Sequence, residues 1–231
     1  MLLQMRDSFT VLRDSDLILL SRELFRKYGD LHWWPAKSRD EVVIGAILTQ
    51  NTSWNNVATA IERLRSAGSE TLADISIMDE KELASAIHSS GFYNQKANRL
   101  KTISKEILSR YGRLENMIGK DPDEIRSFLS GLAGIGQETL DSIMLYALDY
   151  PVFVVDKYTR RLLVRLGFIT DKIRDSEIKT AIEGIISDLW ELKNFHACIV
   201  ALSKEYCRSK PECNNCPLRN SCRYYIETIS P

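Results

Sequence analysis

The sequence predicts an all-α protein, on three observations. Apolar residues recur with a period near 3.6 in one segment after another, no run alternates convincingly with the period of a strand, and glycines punctuate the segment ends. In chain order, the first periodic segment is 16–28, closed by Gly29 in the place where a left-handed C-cap is needed. Segments 40–50 and 53–67 follow, with Gly68 after the second, then 79–88 before Gly91 and 94–110 before Gly112. Segments 122–130 and 138–148 stand on either side of a glycine-containing break, and 156–166 closes at Gly167. The last two, 175–188 and 192–206, lead into a cysteine-rich tail. Val152–Val155 is the one β-like stretch. It follows Pro151 and ends at Asp156, which makes it an extended connector into a helix.

Composition narrows the class. The chain has 231 residues, 31 Lys plus Arg against 31 Asp plus Glu, 44% hydrophobic residues, 6 Pro and 11 Gly. This is globular composition, long enough for one large or two small cores, and it excludes disordered, fibrous and small stapled scaffolds. No run approaches the ~20 apolar residues of a membrane helix, and the start MLLQMRDSF has too short an apolar stretch for a signal peptide. A soluble cytoplasmic protein with no membrane partner is expected. The neutral total hides uneven patterning. Lys157 to Arg165 carries four positive and no negative residues, and Lys204 to Arg223 carries five against two, so a basic face is expected.

Four of the five cysteines, Cys207, Cys213, Cys216 and Cys222, form the pattern C-x5-C-x2-C-x5-C, with Cys198 just upstream. In a reducing compartment such spacing points to a metal centre rather than a disulfide framework. Four thiolates suit tetrahedral zinc or a cubane iron–sulfur cluster, and sulfur softness does not choose between them. Lys210, Pro211, Asn214, Asn215 and Pro217 read as the loop that wraps the centre. His32, His88 and His196 show no ligand spacing, and His196 reads as a helix-face or pocket residue.

Between segments 122–130 and 138–148 lies Leu132-Ala133-Gly134-Ile135-Gly136. Gly-x-Gly between helices permits a tight turn whose exposed amides, beside a helix N-terminus, suit a phosphate. The same glycines also suit a helical hairpin in which they only let two helices pack closely.

The hairpin does not stand alone. LTQNT at 48–52, GFYNQKA at 91–97, LAGIG at 132–136, VVDKYTRR at 154–161 and the four-cysteine loop together resemble the helix–hairpin–helix DNA glycosylase superfamily, in the branch related to endonuclease III. Trp33-Trp34-Pro35, and an aromatic at Trp54 two residues after LTQNT, make the resemblance closest to the 3-methyladenine DNA glycosylase subgroup of that branch. The resemblance implies two helical lobes, 37–150 with the hairpin and 1–36 plus 151–231 with the cysteine loop at about 207–222, and an active site between them. It moves the metal expectation from zinc to a [4Fe–4S] cluster, although the first cysteine gap is five residues where the usual pattern has six.

By the same resemblance Asp156 is the catalytic aspartate, suited to stabilising positive charge on the sugar and to orienting or deprotonating a water. Read alone, Asp156 is an N-cap for the helix that starts at Lys157. Bifunctional members carry a nucleophilic lysine 18 positions earlier, and this chain has Glu138 there. A carboxylate cannot form a Schiff base, so monofunctional hydrolysis is expected. Trp33 and Trp54 are expected at the base pocket with Glu138, since an indole face attracts a cationic alkylated purine; Trp34 and Cys198 are taken as packing residues. Gln50 is the expected plug for the vacated base stack. Lys96, Lys157, Arg160 and Arg161, with the amides near Gly134 and Gly136, are the expected phosphate contacts. The partner is then double-stranded DNA containing a damaged base, bound by a monomer. A mismatch or oxidised-base glycosylase, and a DNA-binding module without catalysis, are the alternatives.

Overall fold

The computed structural model describes residues 12–229, and among these it contains twelve α-helices and no strand. They divide into two compact units, one within Trp34–Tyr150 and one made of the described parts of Met1–Trp33 and Pro151–Pro231.

The first unit runs α2 (Arg39–Leu48), α3 (Trp54–Ser66), α4 (Leu72–Ile77), α5 (Glu80–Ala86), α6 (Tyr93–Tyr111), α7 (Pro122–Ser130) and α8 (Gln137–Ser142). Every residue of α2 from Glu41 to Leu48 is buried, the pattern of a helix enclosed on all sides. Its one buried charge, Glu41, is met by Arg65 of α3 at 3.1 Å. Short polar residues start these helices. Ser38 accepts from Glu41 N, Thr71 and Asp74 form a capping box, and Asp121 caps α7 ahead of Pro122. The segment expected at 138–148 is α-helical to Ser142 and continues as a π-helical turn over Ile143–Ala147, closed by Leu148 N on Ile143 O at 3.1 Å.

The second unit contains α1 (Asp14–Tyr28), α9 (Lys157–Leu166), α10 (Asp175–Ile185), α11 (Leu189–Glu205) and α12 (Arg223–Thr228). Leu17, Leu20 and Leu24 of α1 are buried with Phe195, Ile199 and Leu202 of α11, and the Tyr28 hydroxyl donates to Glu205 at 2.8 Å. The expected helix 175–188 ends three residues early because Ile186 is extended, after which Asp188 caps α11 by accepting from Glu191 N. Two helices escaped the sequence reading, α4 and α12. Each is six residues long, too short for a 3.6-residue period to show. The five glycines expected as helix stops, Gly29, Gly68, Gly91, Gly112 and Gly167, all have positive φ.

Candidate active site

Residues 151–156 form the expected extended connector, which delivers Asp156 to the N-cap of α9. One carboxylate oxygen accepts the Thr159 backbone N–H at 2.7 Å, and the other lies 3.6 Å from His196 Nε2 of α11. Burial by itself would raise this carboxyl, but His196 and the Thr159 donors outweigh it and hold Asp156 below the usual carboxylate range. The cap therefore occupies one oxygen and leaves an ionised second one. His196 is buried with its ring edge-on to Phe153 at 5.9 Å. Farther along α11, Lys204 lies in the field of Asp156, with its ammonium 5.1 Å from the centre of the Trp33 ring. Burial lowers the Lys204 ammonium from its ordinary value.

In the other unit, Gln50 follows α2 and is half-buried. Its amide donates to Gly134 O at 2.9 Å and to Thr139 Oγ1 at 3.0 Å, and its oxygen accepts from Arg99 at 3.2 Å. The plug expected from sequence is thus joined to the hairpin. Gly134 has φ +95°, and a Cβ there would stand 2.5 Å from Arg99 Cδ. Gly136 is the N-cap of α8, and Glu138 is exposed in the first turn of that helix.

Lys96 is a correction to the sequence reading. It is 2% exposed, and its ammonium donates to Leu48 O at 2.8 Å and Ser90 O at 2.7 Å, so it closes backbone carbonyls inside the unit instead of presenting charge at the surface. Burial, aided by the Arg99 charge, pushes the group down to about 8. The aromatic residues also separate by unit. Trp54 meets Trp34 edge-on at 5.5 Å, and Trp34 lies 5.5 Å from Tyr146 and fills the space beside Gly45, the packing role expected of it. Cys198 is a buried thiol pushed up to about 11 by burial, which fits the packing role read for it.

The basic run after Asp156 is engaged locally more than the sequence implied. Arg160 pairs with Asp175 at 2.6 Å and donates to Asp171 O and Ile173 O, while Arg161 donates to Cys207 O at 2.6 Å. Only Lys157, exposed at the start of α9, conforms to the open basic face expected there. Arg165, which no motif singled out, donates to Cys207 Sγ at 3.3 Å and to Arg208 O and Ser209 O at 2.6 and 3.1 Å.

The cysteine loop itself is drawn together. Burial pushes the Cys216 thiol up to about 11, and Cys207, Cys222 and Cys213 all lie close enough to raise it further. The backbone N–H of Leu218 pulls Cys216 the other way, and those of Tyr224 and Tyr225 do the same for Cys222. Four thiols within one another's electrostatic reach are the donor set that a thiolate-ligated centre uses. Among the described residues no three His, Cys, Asp or Glu side chains converge tightly enough to hold a single metal ion.

His196 was read as a helix-face or pocket residue, but its pairing with Asp156 and that of Arg165 with Cys207 could not be found from local motifs, because the partners are 40 and 42 residues away in sequence. Thr159 could have been found, since an N-cap aspartate takes the N–H three residues on.

Known proteins place this arrangement. The family described as "HhH-GPD superfamily base excision DNA repair protein" matches residues 44–188. A candidate DNA repair glycosylase of Methanocaldococcus jannaschii is 47% identical over 200 residues, covering 84% of this chain and 90% of that one. The H. pylori 3-methyladenine DNA glycosylase MagIII, solved with 1,N6-ethenoadenine bound, is 31% identical with a TM-score of 0.71, covering 83% of this chain and 97% of that one. A non-covalent endonuclease III–DNA complex superposes with a TM-score of 0.81 over 96% of this chain and 100% of that one; at 23% identity the likeness is one of fold. With more than half its length matched, the chain belongs to the HhH-GPD superfamily of base excision DNA repair proteins, as a DNA glycosylase of that superfamily.

Proposed function

We propose that the protein is a monofunctional DNA glycosylase that hydrolyses the N-glycosidic bond of flipped-out alkylated purines such as 3-methyladenine. The observation that carries the reading is Asp156, a buried carboxylate kept ionised by His196 and by its own cap. As the bond to the base stretches, positive charge builds on the sugar, and a fixed negative oxygen in a dry site stabilises it. The same oxygen can orient the attacking water and take its proton. Glu138 offers no amine, so the Schiff-base route to strand cleavage lacks its nucleophile at that position. An alkylated purine that already carries positive charge needs little help to leave, so the Asp156 carboxylate and the indole faces of Trp33 and Trp54 would suffice. MagIII, 31% identical and bound to a modified purine, supports the same substrate class. DNA would be held by the amides at Gly134 and Gly136 and by Lys157.

Cys207, Cys213, Cys216 and Cys222 would hold a [4Fe–4S] cluster. When bound, such a cluster supplies a structural anchor for the loop, since hydrolysis involves no change of oxidation state. The protein would act as a monomer.

Incubation with methylated duplex DNA, scored for free bases and for nicking on a denaturing gel, tests the reading. Release of 3-methyladenine without nicking, lost in Asp156→Asn by roughly a hundredfold or more, is expected. Activity confined to mismatched or oxidised duplexes would overturn the substrate class, and strong nicking would overturn the monofunctional assignment.

A further inference from the structure

The last turn of α9 places Arg165 against the cysteine loop. One guanidinium nitrogen lies 3.3 Å from Cys207 Sγ and 2.6 Å from Arg208 O, and the other lies 3.1 Å from Ser209 O. The guanidinium also stands 5.0 Å above the centre of the Tyr224 ring. Two carbonyls, a sulfur and an aromatic face fix its position, and the Arg165 carbonyl in turn is 3.4 Å from Cys222 Sγ. We propose that Arg165, through its N–H bond to the Cys207 sulfur, raises the reduction potential of the iron–sulfur cluster. The proposal rests on the four-cysteine reading above.

The argument is electrostatic. A donor on a ligating sulfur, carrying a fixed positive charge, stabilises whichever state of the centre bears more negative charge. The reduced state gains more than the oxidised one, so the potential rises. Arginine stays protonated throughout the working range, so this bias does not titrate. Arg208 gives an internal comparison within the same loop: it is also cationic, but it pairs with Glu212 at 2.8 Å and with Glu205 O, not with a sulfur.

Direct voltammetry of the cluster-loaded protein tests this, with iron content and visible absorbance measured on each preparation. Arg165→Met and Arg165→Gln should both lower the potential, with methionine lowering it further because glutamine keeps an N–H donor. Arg208→Met should remain at the wild-type value. An iron-replete Arg165→Gln or Arg165→Met protein with an unchanged potential would overturn the proposal, as would an Arg208→Met shift as large as that of Arg165→Met. Wild-type protein that contains no iron would overturn the cluster reading instead, and absorbance and metal analysis distinguish that outcome.

Discussion

Asp156 caps a helix with one oxygen, the role its sequence position read alone gives it, and presents the other to His196, which leaves that oxygen for the proposed chemistry. The groups facing it are His196 and Lys204 from α11, and the Thr159 N–H from α9. Because they hold the carboxyl below its ordinary value of 3.8, the stabilisation it gives is present above that pH and is lost as pH falls through the folded value. Removing His196 leaves burial less opposed, and the carboxyl rises. In His196→Asn the acid limb of kcat/KM should therefore move to higher pH, with a smaller change at the plateau. An acid limb in the wild-type position would show that His196 does not set this ionisation. Lys96 shows the opposite case, a cation expected at the surface that closes two orphaned carbonyls instead.

The elements that carry the site are short, and their ends matter more than their lengths. The loop after α2, the hairpin and the start of α8 are tied by Gln50, whose bonds to Gly134 O and Thr139 require the hairpin carbonyl to stand where it does. Gly134 supplies that geometry with a φ of +95°, in a place where Arg99 covers the α-carbon. Arg99 is flexible and can move aside for a methyl group, but the backbone conformation cannot change without displacing the carbonyl. Gly134→Ala should thus cost roughly 1–2 kcal/mol, read as a lower urea midpoint, and should weaken affinity for duplex DNA. A variant as stable as wild type would show that the turn tolerates a side chain. The hairpin's glycines were legible in sequence only beside the other motifs, because a Gly-x-Gly between helical periods also suits simple close packing; its union with Gln50, 84 residues away, was not legible.

Across the whole molecule, the cysteine loop is the feature most easily read and most easily tested. Cys213→Ser should remove the visible absorbance of an iron–sulfur protein and lower the thermal midpoint, because a loop of 16 residues with little apolar burial is left without its anchor. Zinc in place of iron in the wild type would overturn the cluster assignment. The helical class, the glycine stops, the Asp156 cap and the cysteine spacing were determined by the sequence alone. Each depends on residues within one or two turns of one another, where period and side-chain chemistry act directly. The tertiary structure alone decided which charges stay in water. Lys96, Arg160, Arg161 and Arg165 read as an open basic surface, yet each is drawn to carbonyls, a carboxylate or a sulfur. Some of those acceptors lie within fifteen residues and others more than forty away; folding leaves them facing these cations, and several hydrogen bonds to each cation offset what it loses by leaving solvent.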